Sequence, residues 1–245
     1  MKESRRRLEV IDWGTLSYRE ALIRQEILVH RRILDSTPDR LVLVEHPPII
    51  TIGRSGGPGD ILVSENTLRE KNIQVLPVDR GGKVTFHGPG QLVAYPIIKL
   101  REKDLRKYLA KLLEAIAGTL RECGFIPEQR EKSPGLWVNG KKIASVGVAI
   151  QKWVTYHGLA LNVNGDLAGF ELIVPCGDSN TAITSIQSEL GTPVHLNHIK
   201  DLFVREFVRA FAYNPSFPQN DGIAVGHPPW LVRPAPSQVA INRMD

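Results

Sequence analysis

Cys176 sits in the run Ile173-Val174-Pro175-Cys176-Gly177-Asp178-Ser179, with a proline before it and a glycine after it. That setting predicts a thiol on a tight, exposed turn. The Asp178-Ser179 pair predicts a helix start just beyond, a position that lowers a thiol's pKa. A free cysteine with a pKa near 8.5 is only ~3% thiolate at neutral pH, so a nucleophile needs a neighbouring base or cation. The sequence offers His46, His87, His157 and Lys142. His87 and His157 each precede a glycine at an expected strand edge, which would suit a Cys–His acyl enzyme. A hydrogen-bonded structural histidine is the plainer reading of each. Lys142 opens the second strand of an expected hairpin, where a lysine is ordinarily a solvated charge. Only desolvation or a cationic neighbour would lower a pKa that starts near 10.4 and make it a base. Spacing alone does not choose among the four, and a buried, inert thiol is the plain alternative for Cys176 itself.

A second stretch could build the wall of a binding site. Arg80-Gly81-Gly82-Lys83-Val84-Thr85-Phe86-His87-Gly88-Pro89-Gly90-Gln91 runs directly into the apolar strand Leu92–Ile98. Glycine gives up packing and costs backbone entropy, so it is placed where the chain turns sharply or approaches a ligand closely. Here a guanidinium, an ammonium, a hydroxyl and an imidazole stand among those glycines. A polar, glycine-lined loop between strands is a common way to line a pocket. A glycine-rich hairpin with incidental polar residues is the bland reading.

The elements that must position these groups follow from periodicity. Ser17 and Glu20 have capping-box spacing, and Tyr18, Leu22, Gln25, Leu28 and Val29 share one helical face, predicting a helix over 18–34. Strands are expected at 41–45, 49–53 and 74–78, with a loop over 55–60. Leu105, Tyr108, Leu109, Leu112, Leu113, Ile116 and Leu120 predict a helix that stops at Gly124. Cys123, in its last turn, reads as a packing residue. Leu136-Trp137-Val138, then Asn139-Gly140, then Lys141 to Ile150 is a strong hairpin signal. A turn at Gln151-Lys152 and a strand over 153–163 extend it into a three-stranded meander. Ile199, Leu202, Phe203, Phe207, Ala210 and Phe211 mark a late helix. The result is an α+β domain, a mixed sheet flanked by helices. No internal linker interrupts it, so a single domain over 1–217 is expected, with a Pro-rich tail over 218–245 that is extended or partly disordered.

Composition narrows the class. The 245 residues are 42% hydrophobic, enough for a real core, and no run approaches the ~20 apolar residues that cross a bilayer. The basic start at Arg5-Arg6-Arg7 lacks an apolar segment behind it, and Glu3, Glu9 and Asp12 argue against a mitochondrial presequence. A cytoplasmic protein is expected. Cys123 and Cys176, the two cysteines, make neither a disulfide framework nor a cysteine-based zinc site. A formal net charge of +5 and a pI of about 9.3 point to an acidic partner: nucleic acid, an acidic protein or an anionic ligand. The charges are scattered and no stacking aromatics interleave with them. Charge alone does not decide.

Several blocks taken together resemble the lipoyl(octanoyl) transferases. They are Arg80-Gly81-Gly82-x-x-Thr85-x-His87-Gly88-Pro89-Gly90-Gln91-Leu92-Val93-x-Tyr95-Pro96, Glu45-His46-Pro47-Pro48 with Gly53-Arg54, Lys142-Ile143-Ala144-x-x-Gly147, His157-Gly158-x-Ala160-x-Asn162, and Pro175-Cys176-Gly177. The blocks occur in the family's order and cover roughly residues 10–213. The tail from about 218 has no counterpart.

The resemblance implies the fold of the biotin and lipoate protein ligases. It implies transfer of an octanoyl group from octanoyl-acyl carrier protein to a lysine of lipoyl domains in 2-oxoacid dehydrogenases and of the glycine cleavage H protein. That transfer is the first step of protein lipoylation. It further implies a ping-pong thioester on Cys176 with Lys142 as acid/base. The acyl pocket would be lined by Arg80, Gly81, Gly82, Lys83, Val84, Thr85, Phe86 and His87, by Ser145, Val146 and Gly147, and by Gly158, Leu159 and Ala160. No cofactor, metal, nucleic-acid partner or membrane association is expected, and a monomer is expected. The rivals are an ATP-dependent lipoate–protein ligase, an amidotransferase between lipoyl proteins, a Cys–His hydrolase and a non-catalytic binder of acyl chains or nucleic acid.

Overall fold

The computed structural model describes residues 6–130, 133–175 and 181–218. Cys176, the helix start expected just after Ser179 in its first residue, and the Pro-rich tail from 219 lie outside them. The chain opens with strand β1 (Arg6–Thr15), helix α1 (Tyr18–Ile33), and strands β2 (Asp39–Glu45) and β3 (Ile49–Ile52). Helix α2 (Glu65–Glu70) and strands β4 (Gln74–Pro77), β5 (Val84–His87) and β6 (Gln91–Ile97) follow, then helix α3 (Leu105–Glu122). Strands β7 (Glu128–Arg130), β8 (Ser133–Val138), β9 (Lys141–Gln151) and β10 (Val154–Asn162) lead to helices α4 (Ile186–Leu190) and α5 (Leu196–Phe211) and strand β11 (Tyr213–Ser216).

Among the described residues these strands form an eight-stranded mixed sheet, order β11-β1-β2-β6-β10-β9-β8-β7, and a three-stranded sheet, order β4-β3-β5. β1 pairs in parallel with β11 and β2, and the remaining pairs of the large sheet are antiparallel. Strand alternation divides its side chains between two cores. Leu41, Leu43, Leu92, Ala94, Leu159 and Leu161 pack beneath α3 and α5. Val42, Val44, Val93, Tyr95 and Ala160 face α1 on the other side. The small sheet has its own core, in which Ile50, Val84 and Phe86 meet Leu68 of α2 and Phe170 and Leu172 of a short 3-10 turn, Ala168–Leu172.

The local signals act as expected at most ends. Ser17 Oγ accepts from Glu20 N at 3.2 Å, and α3 ends at Glu122 with Gly124 at φ +86°. Asn139 (φ 50°) and Gly140 (φ 76°) make the turn between β8 and β9. The second turn falls one residue later than expected. Lys152 (φ 46°) and Trp153 (φ 63°) both adopt left-handed conformations, as the central residues of a type I′ two-residue hairpin turn must. The helix expected just beyond Ser179 does not begin at the first described residues there. Ile183 instead bridges Lys142 in parallel, and α4 starts only after Ser185, whose hydroxyl caps Ser188 N. β1 carries no alternation signal because it is buried on both faces, with Leu8 and Val10 in one core and Ile11 and Trp13 in the other, while Glu9 pairs with Arg40 and Asp12 with Lys200.

Candidate active site

The loop between β4 and β5 is held by main-chain contacts and by the side chains of Asp79 and Arg80. Gly53 N donates to Lys83 O at 2.8 Å, Arg54 N to Arg80 O at 3.0 Å and Ser55 N to Gly82 O at 3.2 Å. Arg80 reaches back into the small sheet, where its Nη2 donates to Thr51 O at 2.8 Å and Thr51 Oγ1 at 2.9 Å. Gly81 N donates to Val148 O at 2.9 Å and so ties the loop to β9 of the large sheet. That approach is close enough to require glycine on the facing strand, because a Cβ on Gly147 would stand 2.7 Å from Gly81 O.

Between the loop and the α1 face of the large sheet lies a cavity of about 220 Å³. It is bounded by Arg80 to Thr85 and His87 from the loop and β5, by Ser145 to Gly147 from β9, and by Gly158 to Ala160 from β10. Those three segments, separated by up to eighty residues in the chain, are brought together as one wall. Phe86 is not in that wall. Its ring turns to the opposite face of β5 and packs edge-on to Phe170 at 5.6 Å, and a Cβ on Gly169 would meet that ring at 2.4 Å. Tyr18, Val93, Tyr95, His157, Ser133 and Pro134 complete the cavity.

Tyr18, Tyr95, His87 and His157 of the cavity wall belong to a cluster of polar rings that also includes His46. His46 Nδ1 lies 2.7 Å from Leu16 O, which can only accept, so Nδ1 carries the proton. Its Nε2 therefore accepts from Tyr95 OH at 2.7 Å. Burial pushes the His46 pKa down to about 4. His87 is pushed down to about 3, by burial first and then by the nearby His46. The same burial pushes the Tyr18 phenol up to about 12. Tyr18 OH lies 3.3 Å from His157 Nδ1, and His157 Nε2 lies 2.8 Å from Asp79 Oδ1. Burial lowers the His157 pKa, against the raising effect of Asp79. The Asp79 carboxylate also accepts from Tyr156 OH.

His157 reaches this cluster through its backbone. At φ 53° it breaks the strand alternation, and its ring stacks on that of the preceding Tyr156 with centroids 5.0 Å apart. A non-glycine residue in that region is held by its surroundings, here by Gln25 of α1, whose Oε1 accepts from His157 N at 2.8 Å.

Lys142 stands behind Ser133 of the cavity wall. It is 2% exposed, which removes the reading of a solvated strand-edge charge. Its ammonium donates to Ser133 Oγ at 3.3 Å and lies 5.0 Å from the centre of the Trp137 ring. A Cβ on Gly135 would meet Lys142 Cε at 2.7 Å and Ala144 O at 2.4 Å, so the glycine makes room for the lysine stem. Lys142 does not itself bound the cavity, but Ser133 does. Cys123 is half-buried against the α3/α5 core, and burial, with Glu122 beside it, pushes its thiol up to about 11. It is a packing residue. Among the described residues no group of three or more His, Cys, Asp or Glu is arranged to hold a metal, and no helix is long and apolar enough to cross a membrane.

Sequence reasoning missed Tyr18, Tyr95, Asp79, Ser133 and Gly135. Gly135, inside an otherwise apolar strand, carries the usual mark of a close approach; Tyr95 stands in the glycine-rich motif with no role assigned there, and Tyr18, Asp79 and Ser133 have no local signature.

Residues 17–208 match the family described as the lipoyl protein ligase A/B catalytic domain. The chain belongs to this family. It is similar to the octanoyltransferase of Caldicellulosiruptor bescii, with 40% identity over 202 residues, spanning 81% of this chain and 89% of that one. It is an enzyme, a transferase of this family. In fold it is similar to a bipartite lipoate protein ligase solved with its E2 lipoyl domain from Thermoplasma acidophilum, with TM-score 0.68, 15% identity, and 87% of this chain and 88% of that one covered. It is also similar to the biotin protein ligase of Aquifex aeolicus in complex with biotin and ATP, with TM-score 0.54, 13% identity, and 84% and 70% covered. The fold is that of the lipoate and biotin protein ligase catalytic domains.

Proposed function

We propose that this enzyme transfers an octanoyl group from octanoyl-acyl carrier protein to a lysine of lipoyl domains, through a thioester on Cys176. The observation that carries the reading is the buried Lys142, whose Nζ donates to Ser133 Oγ in the wall of a cavity that Tyr18, Tyr95, His87 and His157 also line. In the first half-reaction the Cys176 thiolate attacks the donor thioester carbonyl, with Lys142 holding the proton. The acyl–sulfur bond to the carrier breaks, and its thiolate leaves with the proton from Lys142. Exchange between near-equivalent thioesters needs little driving force. In the second half-reaction the neutral amine of the acceptor lysine attacks the acyl-Cys176 carbonyl. Neutral Lys142 takes the amine's proton as the amide forms, and Cys176 returns as thiolate beside the restored ammonium.

The glycine loop suits the transition state as well as the chain. Main-chain N–H groups of the glycine loop other than that of Gly81, which is taken by Val148 O, are the proposed donors for the developing oxyanion. The aliphatic chain lies against Val93, Val146, Leu159 and Ala160, where each buried methylene contributes about 0.8 kcal/mol. The net charge of +5 favours encounter with an acidic carrier protein. The glycine cleavage H protein and the lipoyl domains of 2-oxoacid dehydrogenases are the acceptors, and the enzyme acts as a monomer in the cytoplasm. The site residues are Cys176 and Lys142 for the chemistry, with the cavity wall for the acyl chain, and residues 1–217 form one domain.

The test is transfer itself. Purified enzyme, octanoyl-acyl carrier protein and an apo lipoyl domain are mixed without ATP, and the domain is weighed. An octanoyl mass on the domain that is lost with Cys176→Ser supports the reading. Transfer only from free octanoate plus ATP would replace it with a ligase.

A further inference from the structure

Outside the groups assigned to the chemistry, a chain of hydrogen bonds runs from the cavity wall into the main chain that flanks Lys142. His87 Nδ1 donates to Gln91 Oε1 at 2.7 Å. Gln91 Nε2 donates to Phe86 O at 3.2 Å and to Asn162 Oδ1 at 2.9 Å. Asn162 Nδ2 donates to Thr184 O at 3.0 Å. The main chain then continues it: Thr184 N donates to Lys142 O at 2.9 Å, and Lys142 N donates to Ala182 O at 2.8 Å.

Every direction in this chain is forced. A main-chain carbonyl only accepts, so Thr184 O fixes the nitrogen side of the Asn162 amide and Phe86 O fixes that of Gln91. Each amide oxygen is then left to accept from the residue before it. His87, Gln91, Asn162 and Thr184 are all buried, where an unsatisfied donor or acceptor is costly. With its amide directions fixed in this way, the Gln91–Asn162 link has one arrangement, and it specifies one position for what it holds. What it holds is residues 182–184, which run beside Lys142 as an isolated bridge at Ile183 rather than as a full strand. The far side of that segment is held by Thr184 Oγ1, which donates to Glu189 at 2.5 Å. On the β10 side the Asn162 side chain supplies a fixed point for this segment.

We propose that Asn162, oriented by Gln91, is a positioning residue for the acyl transfer. It sets the register of the Ala182–Thr184 main chain against Lys142 and so sets where the lysine's Nζ stands beside Ser133 of the cavity wall. This rests on the reading of Lys142 as the acid/base group. Asn162 touches neither acyl chain nor acceptor, so its loss acts on the catalytic step more than on donor binding.

Two variants test it. Asn162→Asp keeps the shape and turns the donor facing Thr184 O into an acceptor; Asn162→Ala removes the group. Amide hydrogen exchange at Thr184 and Lys142 is measured alongside steady-state transfer. The expected result is faster exchange at both amides and a kcat lower by about 100-fold, the scale of a 1 Å misplacement of a catalytic group. The KM for the acyl donor should stay within about threefold, because the cavity wall is untouched. Unchanged exchange at Thr184, or faster exchange with kcat retained, overturns the proposal. So does a KM that rises with kcat constant. If Asn162→Ala fails to fold, Asn162→Asp decides alone. A wild-type enzyme that transfers nothing sinks the functional reading and with it the catalytic half of this proposal, while the exchange rates still judge the hydrogen-bond chain.

Discussion

The Nζ of Lys142 stands 3.3 Å from the hydroxyl of Ser133, so a buried lysine meets the cavity through a side chain of its wall. A lysine stem this deeply placed is expensive unless its charge is used. Burying an ammonium costs several kcal/mol that partners only partly return, and Gly135 is shaped to admit it.

Lys142→Met separates use from stability. The thioether side chain fills the slot beside Trp137 without the charge. Transfer should fall by at least about 100-fold, the lower range of a lost proton-transfer group, while the melting temperature is unchanged or rises. Thermal melting and steady-state transfer on the same preparation check it; a variant that melts earlier in proportion to its lost activity would make Lys142 a structural residue.

Asp79 is the brace of the glycine loop. Its carboxylate accepts from two consecutive β10 side chains, Tyr156 and His157. Burial would raise its pKa, but hydrogen bonds from Tyr156 and His157 outweigh that and hold it below the usual range. Asp79→Ala should loosen Arg80 to Lys83 and raise the donor KM several-fold with a smaller change in kcat. Steady-state kinetics against donor concentration measure the split, and a loss in kcat alone would place Asp79 in the chemistry instead.

Much of the frame was legible in the sequence, and the reason is locality. Helices α1 and α3 and the Asn139-Gly140 hairpin are written in periods of a few residues. The meeting of the glycine loop with Ser145 to Gly147 and Gly158 to Ala160 came from the resemblance, not from periodicity. Asp79 and His157 are 78 residues apart, and they meet only because His157 adopts φ 53°, a choice imposed by Gln25 and Tyr18 that leaves no mark in the neighbouring residues. Ser133 is equally silent, since its role depends on a lysine from the next strand. Trp153 in a left-handed turn shifted the second hairpin by one residue because a bulky residue there goes against the preference for glycine and asparagine.

The neutral histidine layer predicts acid sensitivity. The folded pKa values of His46, about 4, and His87, about 3, lie below the ordinary value of 6.5. Between those limits the unfolded chain binds more protons than the folded one, so stability falls as pH drops below about 6.5, by about 1.4 kcal/mol per pH unit for each histidine. His157, also lowered, acts in the same direction. Urea unfolding at pH 7.5 and 5.5 should show a loss of about 2–3 kcal/mol. Equal stability at the two values would mean that the layer is protonated in the fold.

Chain length gives a further reading of the cavity. If the acyl chain lies along it toward Tyr18 and Tyr95, two methylenes are worth about 1.6 kcal/mol, so a hexanoyl donor should show kcat/KM lower by about fifteen-fold than octanoyl. A dodecanoyl donor should also fall, because both tyrosine hydroxyls are committed to histidines. A kcat/KM that keeps rising to twelve carbons would show that the chain leaves by another route.

The central claim is the acyl-enzyme, and it is tested most directly by weighing the protein after incubation with octanoyl-acyl carrier protein alone, without ATP and without acceptor. The account predicts one added octanoyl group, mapped by peptide analysis to Cys176, released by hydroxylamine and missing from Cys176→Ser. An unmodified wild type that still passes octanoate to a lipoyl domain added later, or an adduct that survives in Cys176→Ser, would contradict it.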